Sequence, residues 1–331
     1  MNKIERYAVT GAVLAAALVV GLALAIGRAR GADASPATPR TGVVVVRTNL
    51  AYEDGGAAGT GIVLTSSGEV LTNNHVIRGA TSVQVVDAGR TYSARVVGYS
   101  VTKDVAVLQL ANAHGLKTAS IGNSSSVRIG QSVTAVGNAG GTGYLTTVTG
   151  RVTGLGRSIT VSDDQGDTNR LVGMIQTSAP LQPGDSGGPL LHAGHVVGID
   201  SAASTGFQMQ GSTEGFAIPI NTAVSLAKQI EAGQRSATVH VGPTAFLGVA
   251  LSTDEPGAVV AQVVPSSAAD QAGIQPGDQI TVAGGRTINS GTDLQRVMLQ
   301  VSPGSPLTIV WTDGYGDSNS ATVRPAAGPP Q

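Results

Sequence analysis

Ser186 lies in the hexapeptide Gly184-Asp185-Ser186-Gly187-Gly188-Pro189. A serine hydroxyl is a poor nucleophile and needs a neighbouring base to take its proton. It also needs backbone N–H donors aimed at the oxyanion that forms on attack. The amides of Gly184, Asp185 and Ser186 are the candidates for that hole. Glycine before the serine lets the amides of Gly184 and Ser186 point the same way. His75, in Leu71-Thr72-Asn73-Asn74-His75-Val76, is the candidate base. Asp104 stands at the mouth of the apolar run Val105-Ala106-Val107-Leu108, where a carboxylate can orient an imidazole and stabilise the imidazolium. Taken singly, Asp104 reads equally well as a turn aspartate bonded to local backbone. Together the three residues read as a catalytic triad, and the chain order His, Asp, Ser is the trypsin-like one rather than the subtilisin or α/β-hydrolase one.

Other residue types offer little competing chemistry. His192 and His195 form an H-x-x-H pair with no third ligand in view, so a zinc reading is weak. His114 and His240 have no motif around them. The chain has no cysteine, which excludes disulfides, thiol catalysis and thiolate metal sites. No metal and no cofactor is expected.

The elements that must position these residues read as strands. Val43–Arg47, Thr60–Thr65, Val70–Thr72, Ser82–Val86, Ala94–Tyr99 and Val105–Leu110 are short apolar or alternating runs between turn signals. Ser132–Val136, Gly150–Leu155, Met174–Thr177, Pro189–Leu191 and His195–Ile199 continue the pattern. Many short strands at regular spacing indicate an all-β barrel or sandwich. Ile220, Val224, Ala227 and Ile230 repeat at helical spacing, with Asn221 as an expected cap and Gly233 as a stop. A smaller unit follows. Phe246–Ser252 and Ala258–Val264 read as strands, Pro265–Gly273 as a short helix with a glycine stop, and Ile280–Val282 as a strand. Thr292–Gln300 reads as a helix started by Ser290 and Asp293. Leu307–Trp311 and Ala321–Arg324 are the last strands, and the Pro- and Gly-rich end is expected to fray.

Composition agrees. Charged residues are 12% and aromatics 3%, with 46 glycines among 331 residues, which fits strands and tight turns better than a helical bundle. Lys3, Arg6, Arg28 and Arg30 against Glu5 make the first 30 residues +3, so the remainder is −4. A mildly acidic body argues against nucleic-acid binding. Tyr7 to Gly27 is 21 residues without a charge, long enough as a helix to span a bilayer core of about 30 Å. Two readings compete: an uncleaved anchor, favoured by Arg28 and Arg30 just after the run, and a cleaved signal peptide with Ala32-Asp33-Ala34 as its site.

The segments Gly59–Leu64, TNNHV, KDVAVLQL, AVGN at Ala135–Asn138, QPGDSGGPL and GFAIP at Gly215–Pro219 resemble, in order, those of the HtrA/Deg family of trypsin-like serine proteases. Phe246-Leu247-Gly248-Val249 is similar to the carboxylate-binding loop of that family's PDZ domain, and PSSAADQAGIQPGDQI to its most typical PDZ stretch. The resemblance covers about residues 42–325. It implies a mainly β fold: a trypsin-like domain of two six-stranded β-barrels, then a PDZ domain. The expected division is 1–30 cytoplasmic tip and transmembrane anchor, 31–41 linker, 42–233 protease, 243–325 PDZ and 326–331 tail. It further implies ATP-independent cleavage of misfolded extracytoplasmic proteins, homotrimers, and C-terminal peptides bound at the PDZ domain. The setting would be a bacterial cell membrane, crossed once, with both domains outside the cytoplasm. The alternative is a chaperone-like scaffold that binds unfolded chains without cutting. Asp185 stands where many relatives carry Asn, the Ala51–Ala58 loop is short, and one PDZ unit is present.

Two specificity expectations follow. Ser178–Pro183 should wall an S1 pocket that takes a small apolar P1 residue, with Asp200 as the residue able to overturn this. In the PDZ unit a peptide would add as a strand beside Gly248–Leu251, its carboxylate on the amides of Phe246, Leu247 and Gly248. Leu294 and Met298, one turn apart, line its pocket or are ordinary core.

Overall fold

The computed structural model describes residues 40–52, 55–162, 168–201, 214–252 and 255–331. The expected anchor, Tyr7–Gly27, lies outside them, as does most of the linker. No helix among the described residues is long and apolar enough to cross a membrane.

Seven elements build the first half: β1 Val43–Leu50, β2 Gly55–Val63, β3 Glu69–Thr72, helix α1 Asn74–Ile77, β4 Ser82–Asp87, β5 Arg90–Ser100 and β6 Val105–Leu110. The strands run in the order β5-β4-β1-β2-β3-β6, and β5 also pairs with β6, which closes the sheet. The second half is β7 Ser132–Gly137, β8 Thr146–Ser162, β9 Thr168–Thr177, β10 Pro189–His192, β11 His195–Asp200 and β12 Gly215–Pro219, a closed barrel ordered β10-β11-β12-β9-β8-β7.

The period-2 geometry of strands explains why runs such as Val43–Val46 are apolar without alternation. Val44, Val46, Val70, Ala106 and Leu108 fill one core, whereas Val43, Leu71, Val105 and Val107 fill another. That second core also holds Val136, Met174 and Ile199 of the other barrel and the buried face of helix α2, Ile220–Glu231. Both faces of these strands are therefore covered. Asn221 does not cap α2. Pro219 occupies the cap position without a side-chain bond, and Asn221 instead accepts from the Ser124 amide (3.2 Å) and donates to Asn123 Oδ1 (2.8 Å).

The segment after α2 joins the first sheet. β13, His240–Val241, adds to β5 opposite Tyr99 and Gly98. The smaller unit comprises β14 Thr244–Phe246, β15 Val249–Leu251, β16 Val260–Val263, α3 Ala268–Ala272, β17 Gln279–Ala283, β18 Arg286–Thr287, α4 Gly291–Met298, β19 Leu307–Thr312, β20 Ser318–Val323 and β21 Ala326–Gly328. Its core includes Leu247, Ile280, Ile309 and Trp311. α3 starts on the Ser267 hydroxyl and stops at Gly273 with φ +83°. α4 starts on Ser290, whose hydroxyl accepts from the Asp293 amide, while Asp293 accepts from the Asn289 amide (3.2 Å).

The end of the chain is the clearest departure from expectation. Residues 326–331 are not a frayed tail, because β21 pairs antiparallel with β14. Beyond it, Pro330 O accepts from the Gly79 amide (2.9 Å), and Gln331 O accepts from Asn74 Nδ2 (3.0 Å). An unpaired β14 would leave buried backbone groups without partners, so a short strand covering it is favoured even without a strong propensity of its own.

Candidate active site

α1 carries His75 next to the end of β3. Its N-cap, Asn73, does not use its side chain on the helix; the amide donates to the Asp104 carbonyl instead (2.8 Å). This ties the histidine turn to the turn before β6. Asp104 itself has φ +52°, a conformation that Asp tolerates better than most residues. Backbone held there by surrounding structure is characteristic of functional sites.

The Asp104 carboxylate is almost fully saturated. Its Oδ1 accepts from the His75 amide at 3.0 Å, and His75 Nδ1 lies 3.0 Å from Oδ1 and 2.9 Å from Oδ2. The Ser201 hydroxyl donates to Oδ2 at 3.1 Å. With a carboxylate facing it, Nδ1 carries the proton, which leaves Nε2 as the ring's acceptor. Burial lowers the affinity of His75 for a second proton, but the charge of Asp104 and its hydrogen bond outweigh this and raise it overall. His75 Nε2 is itself buried and makes no hydrogen bond in this structure.

Ser186 is 4% exposed and sits in a loop held from both barrels. Its carbonyl accepts from the Thr60 amide of β2 (2.8 Å). The Thr60 hydroxyl donates to the Gly184 carbonyl (2.7 Å) and accepts from the Asn138 amide (2.9 Å), while Thr72 donates to the Thr60 carbonyl (2.7 Å). Gly184 has φ +96° and Gly187 φ +85°. A Cβ at the first would overlap the Asn138 carbonyl, and at the second the Thr60 carbonyl and Thr72 hydroxyl. Only glycine satisfies both the backbone angle and the close approach. Of the three amides expected at the oxyanion hole, that of Asp185 is already committed: it donates to Gln182 O (3.0 Å). Asp185 therefore drops out of that set, leaving Gly184 and Ser186.

Asp185 is 2% and Asp200 0% exposed. Burial raises Asp185, partly offset by the Gln182 amide that its Oδ2 accepts (2.9 Å). Burial and the nearby charge of Asp185 push Asp200 well above the ordinary carboxylate range.

Sequence reasoning singled out His75, Asp104 and Ser186 but missed Ser201, Thr60, Asn73 and Asn138 as residues bonded around them. Three of these lie inside segments already singled out, GTGIVL, TNNHV and AVGN; their roles need contacts across the barrels that spacing does not reveal. Ser201 has no local signal. His192 and His195 sit opposite each other in a hairpin, bonded to Ser132 O (2.9 Å) and Ser120 Oγ (2.8 Å). Among the described residues no group of three or more His, Cys, Asp or Glu is placed to hold a metal ion.

In the smaller unit, Phe246 ends β14, Leu247 is buried, Gly248 turns with φ +89°, and Val249 opens β15. Leu294 and Met298 are buried at 4% and 2% in the same core as Leu247, with Val249 packed against it. They share a core with Leu247 of the expected peptide-binding loop.

Two joined barrels with a Ser, His and Asp at their junction, followed by a unit of eight short strands and two short helices, define a trypsin-like peptidase coupled to a PDZ domain. Residues 59–199 match the trypsin-like peptidase domain family and residues 245–312 the PDZ domain family. The chain is 34% identical to the serine protease PepD of Mycobacterium tuberculosis, covering 85% of this chain and 63% of that one. It is 32% identical to the serine protease Do-like HtrA of Lactococcus lactis, covering 80% and 70%. Among solved structures, the HtrA-type protease AlgW with tripeptide is 29% identical, with a TM-score of 0.51 over 90% of this chain and 96% of that chain. This chain belongs to the HtrA/Deg family of trypsin-like serine proteases. It spans roughly two thirds of the length of these two curated relatives.

Proposed function

We propose that the protein is an ATP-independent serine endopeptidase that cleaves misfolded extracytoplasmic proteins. Ser186 Oγ attacks the scissile carbonyl and His75 Nε2 takes its proton. Asp104 stabilises the resulting imidazolium, and the amides of Gly184 and Ser186 receive the oxyanion. The observation that carries this reading is the His75–Asp104 pair at 2.9 Å, braced by Ser201. Proton transfer needs His75 Nε2 within hydrogen-bond reach of Ser186 Oγ in the substrate complex.

A C-terminal peptide adds beside β15, with its carboxylate at Phe246-Leu247-Gly248, and regulates cleavage; amidating the peptide's C-terminus should then remove its binding. P1 is small and apolar, a reading supported by the lack of any carboxylate in Ser178–Pro183. Tyr7–Gly27 anchors the chain in a bacterial cell membrane, and the protease domains assemble as a homotrimer.

The deciding experiment is labelling with a fluorophosphonate probe, comparing the natural chain with Ser186→Ala. Labelling that vanishes in the variant supports the enzyme. No labelling of either, with and without a C-terminal peptide, favours a scaffold that holds unfolded chains without cutting.

A further inference from the structure

The mechanism above uses one buried carboxylate, Asp104, and leaves two others beside the nucleophile unexplained. Asp200 ends β11, and its backbone brackets the nucleophile loop. Its carbonyl accepts from the Gly187 amide and its amide donates to the Gly188 carbonyl, both at 2.8 Å. The next residue, Ser201, is the one that donates to Asp104. The Asp200 carboxyl, by contrast, makes no hydrogen bond to His75, Asp104 or Ser186. It is 0% exposed, and neither oxygen has a hydrogen-bond partner.

A carboxylate in that position is very costly unless it is paired or loses its charge. Among the described residues nothing donates to either oxygen. The nucleophile loop offers Asp185, which is also negative. β10 and β12 present no charged side chain, Pro189-Leu190-Leu191 and Gly215–Pro219 being neutral apart from His192 at the far end. From β9 comes Gln176, which donates to Glu214 and accepts from Arg157 Nε of β8 (2.8 Å). Among the described residues the charge that acts on Asp200 is that of Asp185, and the Arg157 guanidinium is engaged by Gln176.

We propose that Asp200 is a positioning residue that works as a neutral carboxylic acid, and that its ionisation opposite Asp185 disorders the loop that presents Ser186. The chemistry is a single proton lost to solvent, with no other bond changed. The charge left behind sits one residue from the Ser201–Asp104 bond and within the backbone bonds to Gly187 and Gly188. The consequence is an alkaline limit on activity that belongs to neither Ser186 nor His75. Asp200 also accounts for a limit on specificity: a carboxyl that must stay neutral and fully buried does not serve as a partner for a basic P1 residue.

Two measurements on the full chain test this. The first is the pH dependence of fluorophosphonate labelling for the natural chain and Asp200→Asn, which rests on the reading of Ser186 as nucleophile. The rate should fall about tenfold per pH unit above the Asp200 titration and should stay level in Asp200→Asn. Asp185→Asn removes the neighbouring charge that holds the proton on, so the fall should begin at lower pH. Coincident profiles for all three proteins would overturn the proposal. The second measurement needs no activity: the infrared difference between the natural chain and Asp200→Asn at pH 7. A protonated-carboxyl stretch lost in the variant is expected. A carboxylate band lost instead rejects the proposal even if labelling fails altogether.

Discussion

Phe246, the first residue of the expected carboxylate-binding loop, stacks on Tyr52 of the β1–β2 turn, with ring centroids 5.1 Å apart and planes inclined by 15°. The PDZ loop and the protease domain are thus in direct ring contact. Stacked aromatic pairs contribute about 0.5–1.5 kcal/mol beyond the area they bury, and the exposure of Tyr52 places this pair at the low end. A double-mutant cycle with Tyr52→Ala and Phe246→Ala, read by urea unfolding, should return a coupling of about 0.5 kcal/mol. Strict additivity would show that the contact contributes nothing.

The Tyr99 hydroxyl binds the two domains from below. It is 2.9 Å from Thr244 Oγ1 and accepts from the Gln331 amide at 3.1 Å, and its ring lies against His240. Tyr99→Phe keeps the ring and strands both partners, which should lower stability by about 1–3 kcal/mol. Removing residues 326–331 should have a larger effect, because it also uncovers β14. Unchanged denaturation midpoints for both would mean that the tail bonds are incidental.

The triad geometry sets the cost of disturbing it. Asp104→Asn leaves the shape but favours the wrong imidazole tautomer, and peptidase rates should fall by about 10⁴-fold. Ser201→Ala removes one charge-assisted bond of about 1.5–3 kcal/mol, so kcat/KM should fall by roughly ten- to a hundredfold at most. A Ser201→Ala rate equal to the natural one would show that the bond does not act on His75.

The Gly184 conformation should tolerate no side chain. Gly184→Ala asks for φ +96° and drives a Cβ into the Asn138 carbonyl, so the oxyanion loop must rearrange. Labelling of Ser186 should drop at least a hundredfold, the order seen on losing one oxyanion donor, while circular dichroism stays that of a folded β protein. Normal labelling of Gly184→Ala would contradict the loop geometry.

Stability carries its own pH signature away from the triad. Burial, together with the hydrogen bond and charge of Glu231, pushes Glu69 up to about 8. The folded chain then holds a proton that the unfolded chain, with an ordinary carboxyl near ~4.3, has released. That contribution is full below the ordinary value, shrinks as pH rises and is gone above about 8. The melting temperature of the natural chain should therefore decline from pH 5 to pH 8 relative to Glu69→Gln. Parallel curves would refute the shared proton.

Much of this was written in local sequence. The strands and the glycine-flanked serine were legible because period-2 burial and positive-φ turns constrain neighbouring residues directly. Val105–Leu110 has the same bounds in the chain as in the fold, and Ser267, Ser290 and Gly273 cap helices through groups three or four residues away. His75, Asp104 and Ser186 were identifiable from their flanking residues, each of which serves its own turn. What tertiary structure alone decided is everything that depends on contacts distant in the chain. Asn221 reads as a helix cap and is instead used by a loop 97 residues earlier. The expected frayed end is a strand because β14 lacks a partner. Asp185 looks like an oxyanion donor until Gln182 takes its amide. Ser201 and Asp200 are adjacent, yet one donates to Asp104 and the other lies buried beside Asp185 with neither carboxyl oxygen bonded. Neighbouring positions in the chain do not fix these surroundings; only the packing of two barrels determines what each side chain meets.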